Sequence, residues 1–379
     1  MTSPEDRVYL DYNATAKVRP QAVTAVLHAL QLCGNPSSVH AAGRASRAVV
    51  ETARADVAAL AGAAPAAVTF VSGGAEANAT AMESAIASGF ARLIVGATEH
   101  DTVRETALAS GFPVAVWPVD DDGVADLAWL ERELLHGERA LVCLMLANNE
   151  TGVIQPAAAA ARLTRAVGGW MHVDAVQAAG KLAIDFEALG ADTLALSAHK
   201  IGGPQGIGAL VAGPRARLVR RLHGGGQEHG RRAGTENVPG IAGFGAAARA
   251  ALAELPRMAA DRYGRDALEA AVVAAGAQVL GANAPRLPQT SCFAAPGYAS
   301  ELQVISLDLA GVQVSAGAAC SSGKVKASPV VAAMGRPDLA AFSIRVSGGW
   351  ATTGVDWAHC ATAWVNLNER RTKRRLEVA

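Results

Sequence analysis

Two short apolar runs, each ending in a residue of marked chemistry, constrain this 379-residue chain more than anything else in it. The first, Trp170-Met171-His172-Val173, closes on Asp174-Ala175-Val176-Gln177. The second, Ala191-Asp192-Thr193-Leu194-Ala195-Leu196, closes on Ser197-Ala198-His199-Lys200 and then Ile201-Gly202-Gly203-Pro204. Each run has the length and apolar character of a buried strand, and Gly-Gly-Pro ends the second one. A lysine delivered to a strand end beside Ser and His is placed to form a Schiff base with an aldehyde cofactor that carries a phosphate. An acid at a neighbouring strand end can hold the protonated ring nitrogen of such a cofactor, and Gln177 can donate to its ring oxygen. Singly, Lys200 also reads as a surface lysine in a turn, and Asp174 as a turn former or helix cap. Their order and their occurrence together favour the joint reading.

The same pattern repeats on both sides. Strands are expected at Val68–Val71, Arg92–Gly96, Pro113–Pro118, Ala140–Leu146, Trp170–Val173, Thr193–Ser197 and Ile207–Val211, with helices between most of them. Such alternation predicts a mostly parallel sheet sandwiched by helices, with ligands at the carboxyl ends of the strands. Thr98, His100, Asn149, Asp174 and Lys200 all fall just past such ends. After Val71, the turn Ser72-Gly73-Gly74-Ala75-Glu76 opens a helix, whose first N–H groups suit a phosphate. An ordinary glycine turn with a serine cap has the same composition.

Taken together, these residues resemble the NifS/IscS-type cysteine desulfurases, in the class V branch of the fold-type I pyridoxal-phosphate enzymes. The resemblance runs from Tyr9-Leu10-Asp11-Tyr12-Asn13-Ala14-Thr15 to about Trp350. It includes Gly34-Asn35-Pro36-Ser37-Ser38, Thr98-Glu99-His100, Asn148-Asn149-Glu150-Thr151-Gly152, His172 to Gln177, and Gly317-Ala318-Ala319-Cys320-Ser321-Ser322-Gly323. It implies a large α/β domain, residues 13–255, and a smaller α+β domain from residues 1–12 and 256–379 that carries the cysteine loop. It further implies that Lys200 holds pyridoxal 5'-phosphate, that His100 stacks on the ring and acts as acid or base, and that Asn149 contacts cofactor and substrate carboxylate. Gly74, Ala75, Ser197 and His199 would face the phosphate. Thr235, in the long glycine-rich stretch Leu222 to Thr235, would reach the cofactor of a second subunit in a homodimer.

Cys320 lies among small residues. It reads either as an incidental thiol or, as the resemblance implies, as the nucleophile that takes the sulfur of L-cysteine as a persulfide and leaves L-alanine. Lys324 is close enough in sequence to favour its thiolate. Arg345, in Phe342-Ser343-Ile344-Arg345-Val346-Ser347, is costly on an apolar strand without a partner. A substrate carboxylate or a structural ion pair would each supply one. The 25 residues from Cys320 to Arg345 resemble the long-loop branch of the family. The sequence departs from the family in four places: Ala75 replaces its Thr, removing a hydroxyl from the phosphate site; Arg-Ala-Gly-Thr replaces Arg-Ser-Gly-Thr ending at Thr235; the loop after Cys320 is slightly shorter than usual for the long-loop branch; and Lys324-Val325-Lys326-Ala327-Ser328-Pro329 lacks that branch's acidic Leu-Glu-Pro-Ser.

Zero formal net charge gives no pull toward nucleic acid or an anionic membrane, apart from the basic stretch Arg370-Arg371-Thr372-Lys373-Arg374-Arg375. Five cysteines, widely spaced and odd in number, suggest neither a disulfide framework nor an intrinsic metal site. A transient cluster shared by Cys320 with an iron–sulfur scaffold is the one metal contact the resemblance allows. The polar, acidic start reads as neither a secretion signal nor a transit peptide, so the cytoplasm is the expected compartment. The expected sulfur acceptor is an iron–sulfur scaffold or a tRNA-thiolation protein. The alternatives are a selenocysteine lyase or other class V aminotransferase-like enzyme that does not need Cys320, and a non-catalytic scaffold.

Overall fold

The computed structural model describes residues 7–319 and 325–378. The chain opens with β1 (Val8–Tyr9) and passes Asp11 and Asn13 into α1 (Pro20–Leu30), which has proline in its first turn. α2 (Ala41–Ala61) is capped by His40, whose Nδ1 accepts from Gly43 N–H, and is ended by Gly62 in the left-handed conformation. There follow β2 (Val68–Val71), α3 (Gly74–Ala87), β3 (Arg92–Gly96), α4 (Asp101–Ala109), β4 (Val114–Trp117), α5 (Leu127–Leu134), β5 (Ala140–Met145), α6 (Ala157–Ala166), β6 (Trp170–Asp174), α7 (Phe186–Leu189), β7 (Thr193–Ser197) and β8 (Gly208–Ala212).

β2 to β8 form one seven-stranded sheet in the order β2-β8-β7-β6-β5-β3-β4. β4, β3, β5, β6 and β7 run parallel, while β8 is antiparallel to both of its neighbours. Every residue of β5, β6 and β7 is buried, as expected of central strands covered on both faces. Register places Asp174 opposite Met145 on one side and Ala195 on the other, so the ends of β5, β6 and β7 open at one edge.

The chain then forms α8 (Val238–Ala253), α9 (Leu255–Ala260) and α10 (Arg262–Ala274). α8 lies against α1 and α2. A Cβ at Gly245 would sit 2.6 Å from Ala53 Cα, so glycine is what lets α8 and α2 approach so closely. Pro256 occupies the first turn of α9, where its missing N–H is no loss.

Next come β9 (Gln278–Val279), β10 (Thr290–Ala294), α11 (Ser300–Leu309), β11 (Val312–Gln313), β12 (Ser315–Ala316), β13 (Ala318–Ala319), β14 (Val325–Lys326), α12 (Pro329–Ala333), β15 (Ser343–Ser347) and α13 (Gly354–Val378). β12, β15, β10 and β9 make a second, antiparallel sheet. Its core includes Phe293, Ile344 and Val346, with Trp357 and Trp364 of α13 packed on it. The N-terminal segment joins this unit. β1 pairs with β11, and Asp11 bridges to Ser347 at the end of β15. Among the described residues, no helix is long and apolar enough to cross a membrane, and no group of three His, Cys, Asp or Glu is placed to hold a metal ion.

Candidate active site

A cavity of about 900 Å³ opens at the carboxyl ends of β3, β5, β6 and β7. Gly74, Ala75, His100, Asn149, Asp174, Gln177, Ser197, His199, Lys200 and Arg345, ten residues singled out from the sequence, all line it. Cys320 and Lys324 lie outside the described residues. Neighbouring Gly317 and Ala327 line the cavity.

Lys200 ends a short 3-10 turn that follows directly from β7. Its Nζ donates to the carbonyls of Asn13 (2.6 Å) and Ala14 (2.9 Å). Burial, then the Arg345 guanidinium, bring its amine down to about 8, against the pull of Asp11 and Asp174. A lysine in that range is a usable nucleophile near neutral pH.

Asp174, the last residue of β6, is 6% exposed. One carboxylate oxygen accepts from Asn78 Nδ2 (2.8 Å) and the other from Val176 N–H (2.9 Å). Asn78 is held in turn by His172, with Nε2 3.0 Å from Asn78 Oδ1, while His172 Nδ1 lies 2.9 Å from Thr193 Oγ1. Burial lowers His172 to about 4. The neutral ring therefore donates from Nε2 to Asn78 and accepts at Nδ1 from Thr193. That order turns the Asn78 amide donor to Asp174 and fixes the carboxylate.

The turn before α3 supplies the second end of the cavity. Gly73 is extended, and a Cβ built on it would meet nothing within 4 Å, so the bare backbone borders open space. Glu76 Oε2 accepts from Ser72 N–H at 2.6 Å, which pins the turn, and the N-cap residue Gly73 offers the first helical N–H groups no side-chain cap. Ser197 is buried close by: a Cβ on Gly74 would be 3.7 Å from its Cβ. His199 Nδ1 is 3.2 Å from Thr15 Oγ1. Burial, with Lys200 and Lys181, lowers His199 to about 4, so it is a neutral hydrogen-bonding ring.

His100 caps α4, its Nδ1 accepting from Thr102 N–H at 3.1 Å, which leaves Nε2 as the protonated nitrogen. Gln177 is buried. Its Nε2 donates to Asn13 O (2.9 Å) and its Oε1 accepts from Lys181 Nζ (3.3 Å), so its donor already has a backbone partner. Arg345 carries both of the readings left open for it. It lines the cavity, yet Nη2 pairs with Asp11 Oδ1 at 2.7 Å and Nη1 donates to Asn149 O at 3.1 Å. Thr235 is exposed and is not among the residues that line this chain's cavity.

Sequence reading missed Asn13, Asn78, Glu99, Asp11 and Lys181 as parts of the site. Glu99 also lines the cavity and is 5% exposed. One of its oxygens accepts from Met145 N–H, and Oε2 is buried with no partner. Burial, then Asp174, push its carboxyl up to about 8. The Thr98-Glu99-His100 run was the available signal, but it drew attention to the histidine alone.

An amine of lowered basicity, an anchored carboxylate and an uncapped helix start around one cavity are the donor set that pyridoxal 5'-phosphate requires. The residues present fit that cofactor.

Comparison with known proteins agrees. A family model described as "Aminotransferase class-V" matches residues 8–354. A curated "Cysteine desulfurase" of Cereibacter sphaeroides is 42% identical over 362 residues, 93% of each chain. Another, from Enterobacter agglomerans, is 41% identical over 93% of this chain and 90% of its own. Among solved structures, one titled "NIFS-LIKE PROTEIN" superposes with a TM-score of 0.88 at 31% identity, covering 95% of this chain and 99% of that one. A NifS-like protein from Rickettsia africae gives 0.88 at 30% identity, covering 96% and 99%.

Proposed function

The chain belongs to the class-V aminotransferase family and is a pyridoxal-phosphate-dependent cysteine desulfurase, and on that premise we propose that Lys200 holds the cofactor and Cys320 takes the sulfur from L-cysteine. The observation that carries the assignment of Lys200 is its convergence with Asp174 and the α3 start on one cavity.

The bound cofactor supplies an electron sink for charge developed on the substrate. Asp174, fixed by Asn78 and Val176 N–H, would hold the ring nitrogen of the bound cofactor. Backbone N–H groups of the turn at Gly73 to Ala75, with Ser197 and His199, would receive the phosphate. Lys200 would hold the cofactor, and its amine would take and return the proton at the substrate's α-carbon. Its amine near 8 serves as base and, once protonated, as acid. His100, which also lines the cavity, would serve as a second donor through Nε2. Arg345 and Asn149 orient the substrate carboxylate. The Cys320 thiolate attacks the substrate sulfur; the carbon–sulfur bond breaks, a sulfur–sulfur bond forms, and the organic product is L-alanine. L-Cysteine plus thiol thus yields L-alanine plus persulfide with no external oxidant.

Further readings rest on the same resemblance. Residues 13–255 act as the cofactor-binding domain, and residues 1–12 with 256–379 as the small domain. The exposed position of Thr235 supports its serving a second subunit in a homodimer. The persulfide passes to an iron–sulfur scaffold or a tRNA-thiolation protein in the cytoplasm.

The test is production of L-alanine and sulfide from L-cysteine and a thiol reductant by the parent and Cys320→Ala. Loss of both products in the variant supports the assignment. Equal activity would move the reading to a lyase that uses the same cofactor without the thiol.

A further inference from the structure

Lys181 is a buried lysine that the mechanism above does not use. It is 6% exposed, on the turn that leaves β6, and among the described residues its Nζ donates to Gln177 Oε1, at 3.3 Å. The two residues stand four apart on a helical turn, closed by Ala178 and Ala179 N–H donating to Ala175 O and by Leu182 N–H donating to Ala178 O. Lys200 and Arg345 are the cations that act on Lys181, and Lys200 in turn feels Asp11 and Asp174. Lys181 and Lys200 also share the wall of a small cavity of about 20 Å³ with Tyr12, Arg19 and Trp350.

The Gln177 amide has two orientations of nearly equal shape, and its surroundings select one. Asn13 O, a pure acceptor, takes Nε2 at 2.9 Å and also receives Lys200 Nζ at 2.6 Å. At the opposite end, Lys181 offers N–H donors in either protonation state, which requires Oε1 to face it. Remove Lys181 and Oε1 is left buried without a donor, so the reason to keep Nε2 at the cavity side is halved.

We propose that Lys181 is a positioning residue, which holds the Gln177 amide with its N–H donor turned to the Lys200 end of the active-site cavity, where the cofactor's ring oxygen would lie. This rests on the assignment of Lys200 as the cofactor lysine. Its consequence concerns the bound cofactor's acid–base equilibrium rather than the fold. A donor at the ring oxygen favours the form in which that oxygen bears most charge, the form with the lysine–cofactor linkage deprotonated. Losing the donor raises the pH at which the linkage loses its proton.

The experiment titrates the visible absorbance of purified holoenzyme from pH 6 to 10 for the parent, Lys181→Met, Lys181→Arg, Gln177→Leu and the Lys181→Met/Gln177→Leu double variant. The midpoint is expected to rise by about half to one pH unit in Lys181→Met and in Gln177→Leu, with no further rise in the double variant and near-parental behaviour in Lys181→Arg. If Lys181→Met shifts the midpoint equally with or without Gln177, Lys181 acts through its own charge and the proposal is overturned. A parental midpoint in Lys181→Met overturns it as well. Lys181→Leu takes the place of Lys181→Met if that variant does not fold. Lys200→Ala separates the two layers of the argument: a lysine-linked absorbance that survives in it would refute the cofactor assignment, whatever Lys181 does.

Discussion

Asp11 and Arg345, 334 positions apart in sequence, meet as an ion pair with Nη2 and Oδ1 2.7 Å apart at the wall of the active-site cavity. The pairing follows from topology. The N-terminal segment bridges to the end of β15, which sets Asp11 beside the guanidinium on that strand. The residue proposed to bind the substrate carboxylate therefore has a carboxylate of the chain's own already on it.

Asp11 then competes with substrate for Arg345. Asp11→Asn keeps an acceptor in place and removes the competing charge, so KM for L-cysteine is expected to fall roughly 3- to 10-fold. The cost appears in the free enzyme, where Arg345, with 6% of its side chain exposed, loses its anionic partner; Tm should drop by about 3 °C. Arg345→Lys, which cannot make a two-pronged contact, should raise KM by about tenfold or more. Steady-state kinetics on L-cysteine with melting curves check all three. An unchanged KM in Asp11→Asn would mean that Asp11 orients Arg345 without competing.

Lys200 should reveal its lowered basicity as the apoprotein takes up cofactor. Only the neutral amine attacks an aldehyde, so the rate of colour formation should fall about tenfold per pH unit below 8 and level off above it. An unperturbed lysine would keep gaining rate to about pH 10.4. Because Arg345 is the second cause of the depression, Arg345→Gln should move the plateau to higher pH. Stopped-flow mixing of apoprotein with pyridoxal phosphate across pH 6–10 measures both.

What the sequence discloses and what it hides divides along contact range. The strand ends that carry Asp174 and Lys200 are legible because apolar runs of strand length end at them, and all five residues of each strand are buried. Helix Ser300–Leu309 is not, since only Ser300, Gln303 and Leu307 are buried and no apolar stripe marks a face. Among site residues, those missed work through partners far away in sequence: Asn78 reaches Asp174 across 96 positions, and Asn13 accepts from Lys200 across 187. A carbonyl acceptor such as Asn13 O leaves no trace in residue type. Arg345 illustrates the limit from the other direction, because a substrate site and a structural ion pair require the same residue on the same apolar strand.

Ala75 offers a gain of function. It lies at the start of α3, lines the cavity and is exposed, so a larger side chain has room there. Ala75→Thr adds a hydroxyl where the phosphate is proposed to bind. One added neutral hydrogen bond should tighten cofactor binding roughly 2- to 12-fold. Equilibrium dialysis or fluorescence titration of apoprotein with pyridoxal phosphate gives the ratio. An affinity no better than the parent's would place the phosphate away from this turn.

Glu99 makes a prediction about stability rather than affinity. Its carboxyl is raised to about 8 by burial and by the charge of Asp174, whereas in the unfolded chain it titrates near 4.5. Between these two values the native state holds a proton that the unfolded chain has released. The stabilisation is therefore complete below about pH 4.5 and is lost as pH rises through about 8. Glu99→Gln keeps an acceptor for Met145 N–H and cannot ionise, so it escapes that loss. The variant's Tm should gain on the parent's steadily from pH 5 to 8, by on the order of 5 °C in all, and hold a constant lead above pH 8. Its kcat at pH 7 should stay within about threefold of the parent's, because the carboxyl it replaces is already protonated there. Melting curves of holoenzyme at closely spaced pH values decide it: a Tm difference that does not change with pH would show that Glu99 is ionised in the native state, and the unpartnered Oε2 would then be a buried charge beside Asp174.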